Sequence, residues 1–375
     1  MRAPRPLLAL VLLLAACSSE GGRRLAPGDA GGGAAGDSGM GDAALLLYDV
    51  PAFDAVRIGS QPDGPNFQGA TTAIDLGAGP FARVTLHASL ESTCFPFERW
   101  SEDPPPTGER WPPSCDAFDR NYEYVLDPPE EAGDPPGLEL VRAITPFGGP
   151  LELAIDVTDV ANARPGPHRL RVTISTWSDA SGQVSGSNGG WDVTAHLAVE
   201  PGPPPRRVLA ALPLFDGSQT SAAPLAPIGF EVPAGTTHTT VEYRATGHGG
   251  VTGAAGCALG APAEEFCPRA HSIWADGVLF TDLSPWRGDC ASLCSLATQT
   301  SASGSFEYCA ENPCGAIESV RASRSNWCPG SVTPPALLDI PAFQAPGAHE
   351  LGWVISDVAD GGSWRISAMV LAYGE

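Results

Sequence analysis

Short runs with alternating or β-branched side chains recur along the whole chain, and clusters of Gly and Pro separate them. ARVTLHASL (82–90), YEYVL (122–126), HRLRVTISTW (168–177) and WDVTAHLAV (191–199) lie in the first half. RRVLAALPL (206–214), TTVEYRAT (239–246), WVISDV (353–358) and WRISAMVLAY (364–373) lie in the second. No long amphipathic helix pattern interrupts them. Pro brings no N–H to a ladder and Gly weakens both helix and strand. With 38 Pro and 44 Gly in 375 residues, regular structure is confined to short pieces. Such spacing is that of sandwiches and barrels, so the fold class read from the sequence is all-β.

The stretch EPGPPPRR (200–207) holds four prolines and marks a connection rather than a strand. A domain boundary there divides the chain into 48–203 and 204–375, each of a size for an eight-stranded antiparallel jelly roll. A segment rich in Ser, Ala and Cys, 290–314, reads as a disulfide-pinned loop within the second half.

The first residues have a different character. Arg2 and Arg5 precede a short apolar run, Leu7 to Leu14, too short to span a bilayer. This is the pattern of a secretory signal. It ends in Leu14-Ala15-Ala16-Cys17, which resembles the bacterial lipobox, and Cys17 would then be the lipidated first residue of the mature chain. Several acyl chains anchor better than one, since each buried methylene contributes roughly 0.8 kcal/mol. Residues 18–47, mostly Gly, Ala, Ser and Asp, cannot build a core and read as a tether. The expectation is an exported protein, lipid-anchored to a bacterial membrane and meeting it through that anchor only. A net charge of -22 excludes nucleic-acid binding through phosphate contacts. A monomer is expected.

Nine cysteines follow Cys17, at positions 94, 115, 257, 267, 290, 294, 309, 314 and 328. In an exported chain they read as a disulfide framework with at least one left over. A Cys94–Cys115 bond would fix the loop between them, and Cys257 would close a small loop onto Cys267. A zinc site is the alternative, but no CxxC pairs with a second CxxC or HxxxH at zinc-site spacing.

Three polar constellations adjoin these cysteines. CDAFDR (115–120) places Asp119 and Arg120 at the entry to a strand. AEEFCPRAHSIWADG (263–277) carries Glu264, Glu265, Arg269 and His271, and RSNWCPG (324–330) carries Arg324 and Trp327. Taken alone, Asp119 and Arg120 read as a loop aspartate and a nearby arginine in an ordinary surface pair that contributes little. Carboxylates and arginines held at three stapled sites suggest one shared polar site.

These motifs, in this order, resemble those of the peptide-N-glycosidase F family of secreted bacterial amidases. CDAFDRNYEYV resembles the family's C-D-x-W-D-R segment and following strand. ITPFGGPLELAIDVTDV (144–160), STWSD (175–179), TGHGG (246–250), AEEFCPRAHSI, CAENP (309–313) and RSNWCPG resemble its successive segments over residues 55 to 375. The resemblance implies two eight-stranded jelly rolls packed side by side with a site in the cleft between them. It implies Asp119 and Glu265 as catalytic carboxylates, and Arg120, Arg324, Trp177 and His248 as substrate-binding residues. It further implies a last disulfide between Cys309 and Cys328. The implied activity is hydrolysis of the glycosylasparagine amide of an N-glycoprotein or glycopeptide, with no metal and no cofactor. Water needs a base, the leaving nitrogen an acid, and the carbonyl oxygen a cation, which carboxylates and arginines supply.

Three departures stand out. The family has an acidic residue where this chain has Ser175. Its short Cys-x-x-x-Cys loop is opened to Cys257–Cys267, with Ala263 at the nearer cysteine position. His248 replaces an aromatic residue in the Gly-x-Gly turn. The loss at Ser175 favours an alternative: a catalytically weakened or inactive relative that binds glycans or glycopeptides. A copper monooxygenase of the same architecture is a third reading, which the seven His at 87, 168, 196, 238, 248, 271 and 349 do little to support, with no His-His or His-x-His pair.

The anchor is tested directly. Cys17→Ser is expected to block lipidation and move the protein from the detergent phase to the aqueous or precursor pool. Fractionation identical to wild type removes the lipoprotein reading.

Overall fold

The computed structural model describes residues 47–179, 184–251, 257–301 and 304–375. Cys17 and the tether up to residue 46 lie outside the described residues. In the first half the strands are β1 (Tyr48–Gly59), β2 (Gly69–Asp75), β3 (Phe81–Ser92), β4 (Asn121–Leu126), β5 (Leu138–Ile144), β6 (Leu151–Asp156), β7 (Pro167–Ile174) and β8 (Gly190–Pro201). They form two antiparallel sheets, β1-β8-β3-β6 and β5-β4-β7-β2. Strand β3 shows why the local sequence suits this: Val84, Leu86, Ala88 and Leu90 turn inward, while Arg83 and Glu91 stay exposed. Strands β4 and β5 differ. Every residue of β5 is buried, Glu139 and Arg142 included, because the second half covers its other face.

The second half repeats the winding. Its strands are β9 (Val208–Gln219), β10 (Ile228–Val232), β11 (His238–Gly249), β12 (His271–Ala275), β13 (Val278–Leu283), β14 (Leu296–Ser301), β15 (Gly304–Cys309), β16 (Ser331–Val332), β17 (Ala336–Leu338), β18 (Gly347–Ile355) and β19 (Gly362–Tyr373). The sheets are β17-β11-β19-β9 and β10-β18-β12-β13. Strand β16 leaves this half to pair with β5, and β14 with β15 forms a separate hairpin. The fold is all-β and consists of two jelly rolls, and the alternating runs fall on strands. Two local expectations need correction. TGHGG is not a turn: β11 runs through Gly249, paired with Gly362 of β19. The run HRLRVTISTW stops being a strand at Ile174, so Ser175 and Trp177 lie beyond it.

Two apolar cores hold the rolls. Trp191, Leu86, Leu197 and Val172 belong to the first, and Trp364, Trp353, Phe343 and Ile366 to the second. Each such side chain contributes roughly 1.5–3 kcal/mol on burial. Ala211 of β9 and Met369, Leu371 and Tyr373 of β19 pack into the first core, so the two rolls share apolar contacts.

Four disulfides form among the described residues: Cys94–Cys115, Cys257–Cys267, Cys290–Cys328 and Cys294–Cys309. The pairing of Cys309 with Cys328 is therefore corrected. Cys309 closes β15 within the hairpin that Cys294 enters, with Cα atoms 5.0 Å apart. Cys328 meets Cys290 instead, at 5.3 Å. Cys314 is left free, and burial pushes its thiol up to about 12.

Between the rolls lies an ion network that solvent scarcely reaches. Arg142 of β5 makes two bonds of 2.8 Å to Glu139 and lies 3.3 Å from Glu123 of β4. It also reaches across to Thr246 Oγ1 at 3.2 Å and to the Arg365 carbonyl at 2.6 Å. Arg365 returns the contact to Glu123 at 2.7 Å and also pairs with Asp216. Arg244 lies 3.5 Å from Glu139. Burial pushes Glu139 upward, but Arg142, Arg244 and Arg365 outweigh it and hold the carboxyl down at about 2. A buried pair stripped of one partner leaves an uncompensated charge, at about 3–5 kcal/mol. Arg142→Ala is expected to lower the unfolding free energy by about that amount. Because Glu139 is depressed in the fold, its contribution is present above its ordinary value of 4.5 and is lost as pH falls toward about 2. Glu139→Gln should flatten the pH dependence of stability across that window, read by denaturant titration at each pH.

Candidate active site

The chain enters β4 through the loop that Cys94–Cys115 staples. Gly189 lets the backbone pass: a Cβ there would lie 2.3 Å from the Cys115 carbonyl oxygen. Asp116 is wholly buried in this loop and binds Arg120 Nε through both oxygens at 3.2 Å. Burial pushes Asp116 up to about 6 in spite of Arg120. Thr145 fixes the next turn, accepting the Arg120 N–H at 2.9 Å and donating to the Phe118 carbonyl at 3.0 Å. Asp119 is thereby projected from the loop just before β4 begins.

On the second roll, the helical turn Ala263–Phe266 carries the neighbouring acids in opposite roles. Glu264 is completely buried. It binds Arg269 at 2.6 Å, the Trp364 indole N–H at 2.7 Å and the Ala359 N–H at 2.8 Å. Glu264 is thus the anchor of the turn, and Glu265 is the acid that points away from it. Gly247 of β11 permits this packing, since a Cβ there would lie 2.2 Å from the Glu264 carbonyl oxygen.

Arg324 joins the two halves of the site. Its Nη1 lies 3.3 Å from Asp119 Oδ2 and 3.1 Å from Glu265 Oε2. Its Nη2 donates to the Ser319 carbonyl at 2.7 Å and to Ser319 Oγ at 2.8 Å. The guanidinium packs on the rings of Trp327 and Phe266, 4.2 Å and 4.7 Å from their centroids. It is 1% exposed, whereas the carboxylates it holds are 18% and 19% exposed. Arg324 therefore stands behind the pair, and the acids face outward. Burial pushes Glu265 up, and the charge of Asp119 pushes it further, to about 7, against Arg324 and the Gly249 N–H. Burial likewise raises Asp119, opposed by Arg324 and Arg120. Burial presses Arg324 down while the two acids keep it charged.

The other residues singled out from the sequence surround this pair at different depths. Arg120 is 6% exposed, with its guanidinium 4.9 Å from the Phe118 ring and 5.2 Å from that of Trp177. Trp177 packs on Phe118 and leaves 40% of its surface open. His248 stacks on Trp327 at 5.3 Å and shares a bond with Thr246 Oγ1 at 2.9 Å. Burial, with Arg142, Arg324 and Arg365 nearby, holds His248 neutral down to about 3. Ser175 is exposed, and its N–H binds the Asn121 carbonyl at 3.0 Å. Sequence reasoning missed two residues: Asp116, which was visible in CDAFDR as a second carboxylate, and Ser319, which carries no sequence signal.

Among the described residues, three-ligand clusters occur only at Cys94, Cys115 and Cys314 and at Asp289, Cys290 and Cys328, where disulfides consume every sulfur but that of Cys314 and leave one ligand in each. A cavity of about 470 Å³ lies on the β1-β8-β3-β6 sheet, lined by Arg83, His87 and Glu200 among others, and no residue of the candidate site lines it.

Residues 218–371 match the family described as "Peptide-N-glycosidase F, C terminal". No curated protein sequence matches. Among solved structures, recombinant peptide:N-glycanase F (PNGase F) superposes with a TM-score of 0.64 at 18% identity, over 88% of this chain and 96% of that one. PNGase F described as a glycosylasparaginase from Flavobacterium meningosepticum gives 0.63 with the same identity and coverage. PNGF-II gives 0.61 at 18% identity, and the chain spans only 65% of its length. The chain accordingly has the two-domain β-sandwich fold of PNGase F over 88% of its length, and its residues 218–371 are similar to the C-terminal domain of the peptide-N-glycosidase F family.

Proposed function

We propose that this protein hydrolyses the amide bond between an N-glycan and its asparagine, releasing the glycan as a glycosylamine and leaving Asp in the polypeptide. One observation carries the reading. Asp119 of the first roll and Glu265 of the second converge on a single nitrogen of buried Arg324. Two acids so placed do not ionise independently, and they titrate as a pair. When the pair holds one proton, the carboxylate can take a proton from water while the carboxyl delivers one to the leaving nitrogen. Trp177 offers an open indole face, held by Phe118 and Arg120, for the apolar side of a sugar ring. His248, being neutral, can contribute a hydrogen bond without a charge. Substrate is an N-glycoprotein or glycopeptide, met by a monomer exported and held at a bacterial membrane through Cys17.

Ser175 supports the second reading, a glycan-binding relative with weakened or no hydrolysis. Its hydroxyl cannot ionise at neutral pH, and it lies exposed two residues from Trp177. The deciding assay incubates the soluble domain with a denatured N-glycoprotein. Hydrolysis gives a mass loss of the whole glycan combined with the Asn-to-Asp gain. An unchanged mass with retained glycopeptide binding selects the second reading.

Asp119→Asn and Glu265→Gln are each expected to lower the rate roughly a hundredfold or more. Ser175→Glu should equal or exceed wild type. Since the charge of Asp119 helps to raise Glu265, the step at about 7 removes the last proton of the pair, and kcat/KM is expected to fall as pH rises through about 7 and the acid is lost. The same shift has a stability signature of the same sign. A carboxyl raised in the fold favours folding while protonated, and that advantage is lost as pH rises from 4.5 through about 7. Glu265→Gln should therefore melt at or above wild type at pH 8, though it is inactive. A variant that is inactive because it is unfolded would melt far below.

A further inference from the structure

The hairpin β14–β15 belongs to neither sheet of its roll, yet it is tied at both ends to residues of the site. At its base, Cys290 bonds Cys328, four residues beyond Arg324. Just before it, Arg287 and Arg324 exchange backbone hydrogen bonds of 2.8 and 2.9 Å. Cys294–Cys309 closes the hairpin itself. Its side chains then cross to the first roll. Phe306 and Tyr308 pack edge-on against Phe97 at 5.9 and 5.4 Å, and Tyr308 meets Phe95 at 6.4 Å. Phe97 packs on Trp100 at 5.4 Å, and Trp100 on Trp111 at 5.6 Å. The Trp100 indole donates to the Cys94 carbonyl at 2.9 Å, and Trp111 packs on Cys94, Cys115 and Ala117. Cys115 bonds Cys94 and precedes Asp119 by four residues. The exit of the hairpin makes a second crossing, where Asn312 Oδ1 accepts the Phe147 N–H at 3.1 Å and Cys314 N–H donates to the Phe147 carbonyl at 2.9 Å.

A continuous path of disulfides and ring contacts therefore runs from the segment that presents Arg324 to the loop that presents Asp119. Rings packed edge to face add roughly 0.5–1.5 kcal/mol per pair beyond their buried area, and they lose it within small displacements. We infer that the β14–β15 hairpin is a clasp, with Phe306 and Tyr308 gripping Phe97, and that it sets the distance between Asp119 and Arg324. Phe97, Phe306 and Tyr308 are positioning residues and touch none of the reacting groups. The inference rests on the proposed site but goes beyond it, since the clasp orders the pair whatever substrate is bound. It also gives the segment 290–314 a use that its sequence does not suggest.

The test is the soluble domain with Phe306→Ala, Phe97→Ala and the conservative Phe97→Tyr. Phe306 is 47% exposed, so its removal leaves the cores intact. The first readout is the carboxyl titration of Glu265 by carbon-13 NMR. Loosening Asp119 from the shared nitrogen weakens the repulsion that raises Glu265, so its midpoint is expected to fall from about 7 in both Ala variants and to return in Phe97→Tyr. The second readout is kinetic: kcat lower by roughly ten- to a hundredfold with KM within about twofold, as for a misplaced catalytic group. An unchanged Glu265 midpoint in both Ala variants overturns the clasp, as does a raised KM at constant kcat, which would make the rings a substrate surface. If wild type releases no glycan, the proposed activity fails, and the titration still decides the clasp.

Discussion

Glu139 and Arg142, buried at the centre of the surface where the two rolls meet, are the pairing on which the rest depends. Neither has water to fall back on. Each charge is balanced only in the one arrangement that also brings in Glu123, Arg244, Arg365 and Asp216. Apolar packing between sheets is tolerant of sliding, whereas buried ions are not: a shift of a few ångströms leaves a charge unpaired. Met369, Leu371 and Tyr373 supply adhesion between the rolls, and the ions supply register.

That register matters because the candidate site has no existence within either roll. Asp119 is carried by a loop of the first and Glu265 by a helical turn of the second, 146 positions apart in the sequence. Arg324 makes them one unit. Its cation lowers the cost of holding two carboxylates together, and its burial raises the strength of every contact it makes. The surrounding groups keep it still: Ser319 takes the far nitrogen, and Trp327 and Phe266 take the faces. Arg142 reaches Thr246, Thr246 bonds His248, and His248 stacks on Trp327, so the ion network and the site are in contact through one short chain of residues.

Much of this was legible in the residues. The alternating runs fall on strands because each buries one face, and Gly and Pro mark the connections between them. Asp119, Glu265 and Arg324 could be picked out because each belongs to a motif that resembles a known family. Their neighbours were harder to sort. Glu264 and Glu265 are identical in local context, and only Trp364, Arg269 and Ala359, all distant in sequence, make the first an anchor. Asp116 and Asp119 pose the same difficulty, resolved by Arg120 turning to Asp116. The pairing of Cys309 and Cys328 could not be read correctly, because proximity in a hairpin depends on its register.

The sequence by itself determined the all-β class, the strand positions and the chemical types available to a site. Those follow from local physics: side-chain alternation, the missing N–H of Pro, and the charge each residue carries. The tertiary structure alone decided which acids meet, which cation they share, and which carboxyls are raised or depressed. Those depend on distances and burial between residues far apart in the chain, and electrostatic energies change steeply with both. Glu139, held at about 2, and Glu265, raised to about 7, are the same residue type, and their difference is entirely one of surroundings.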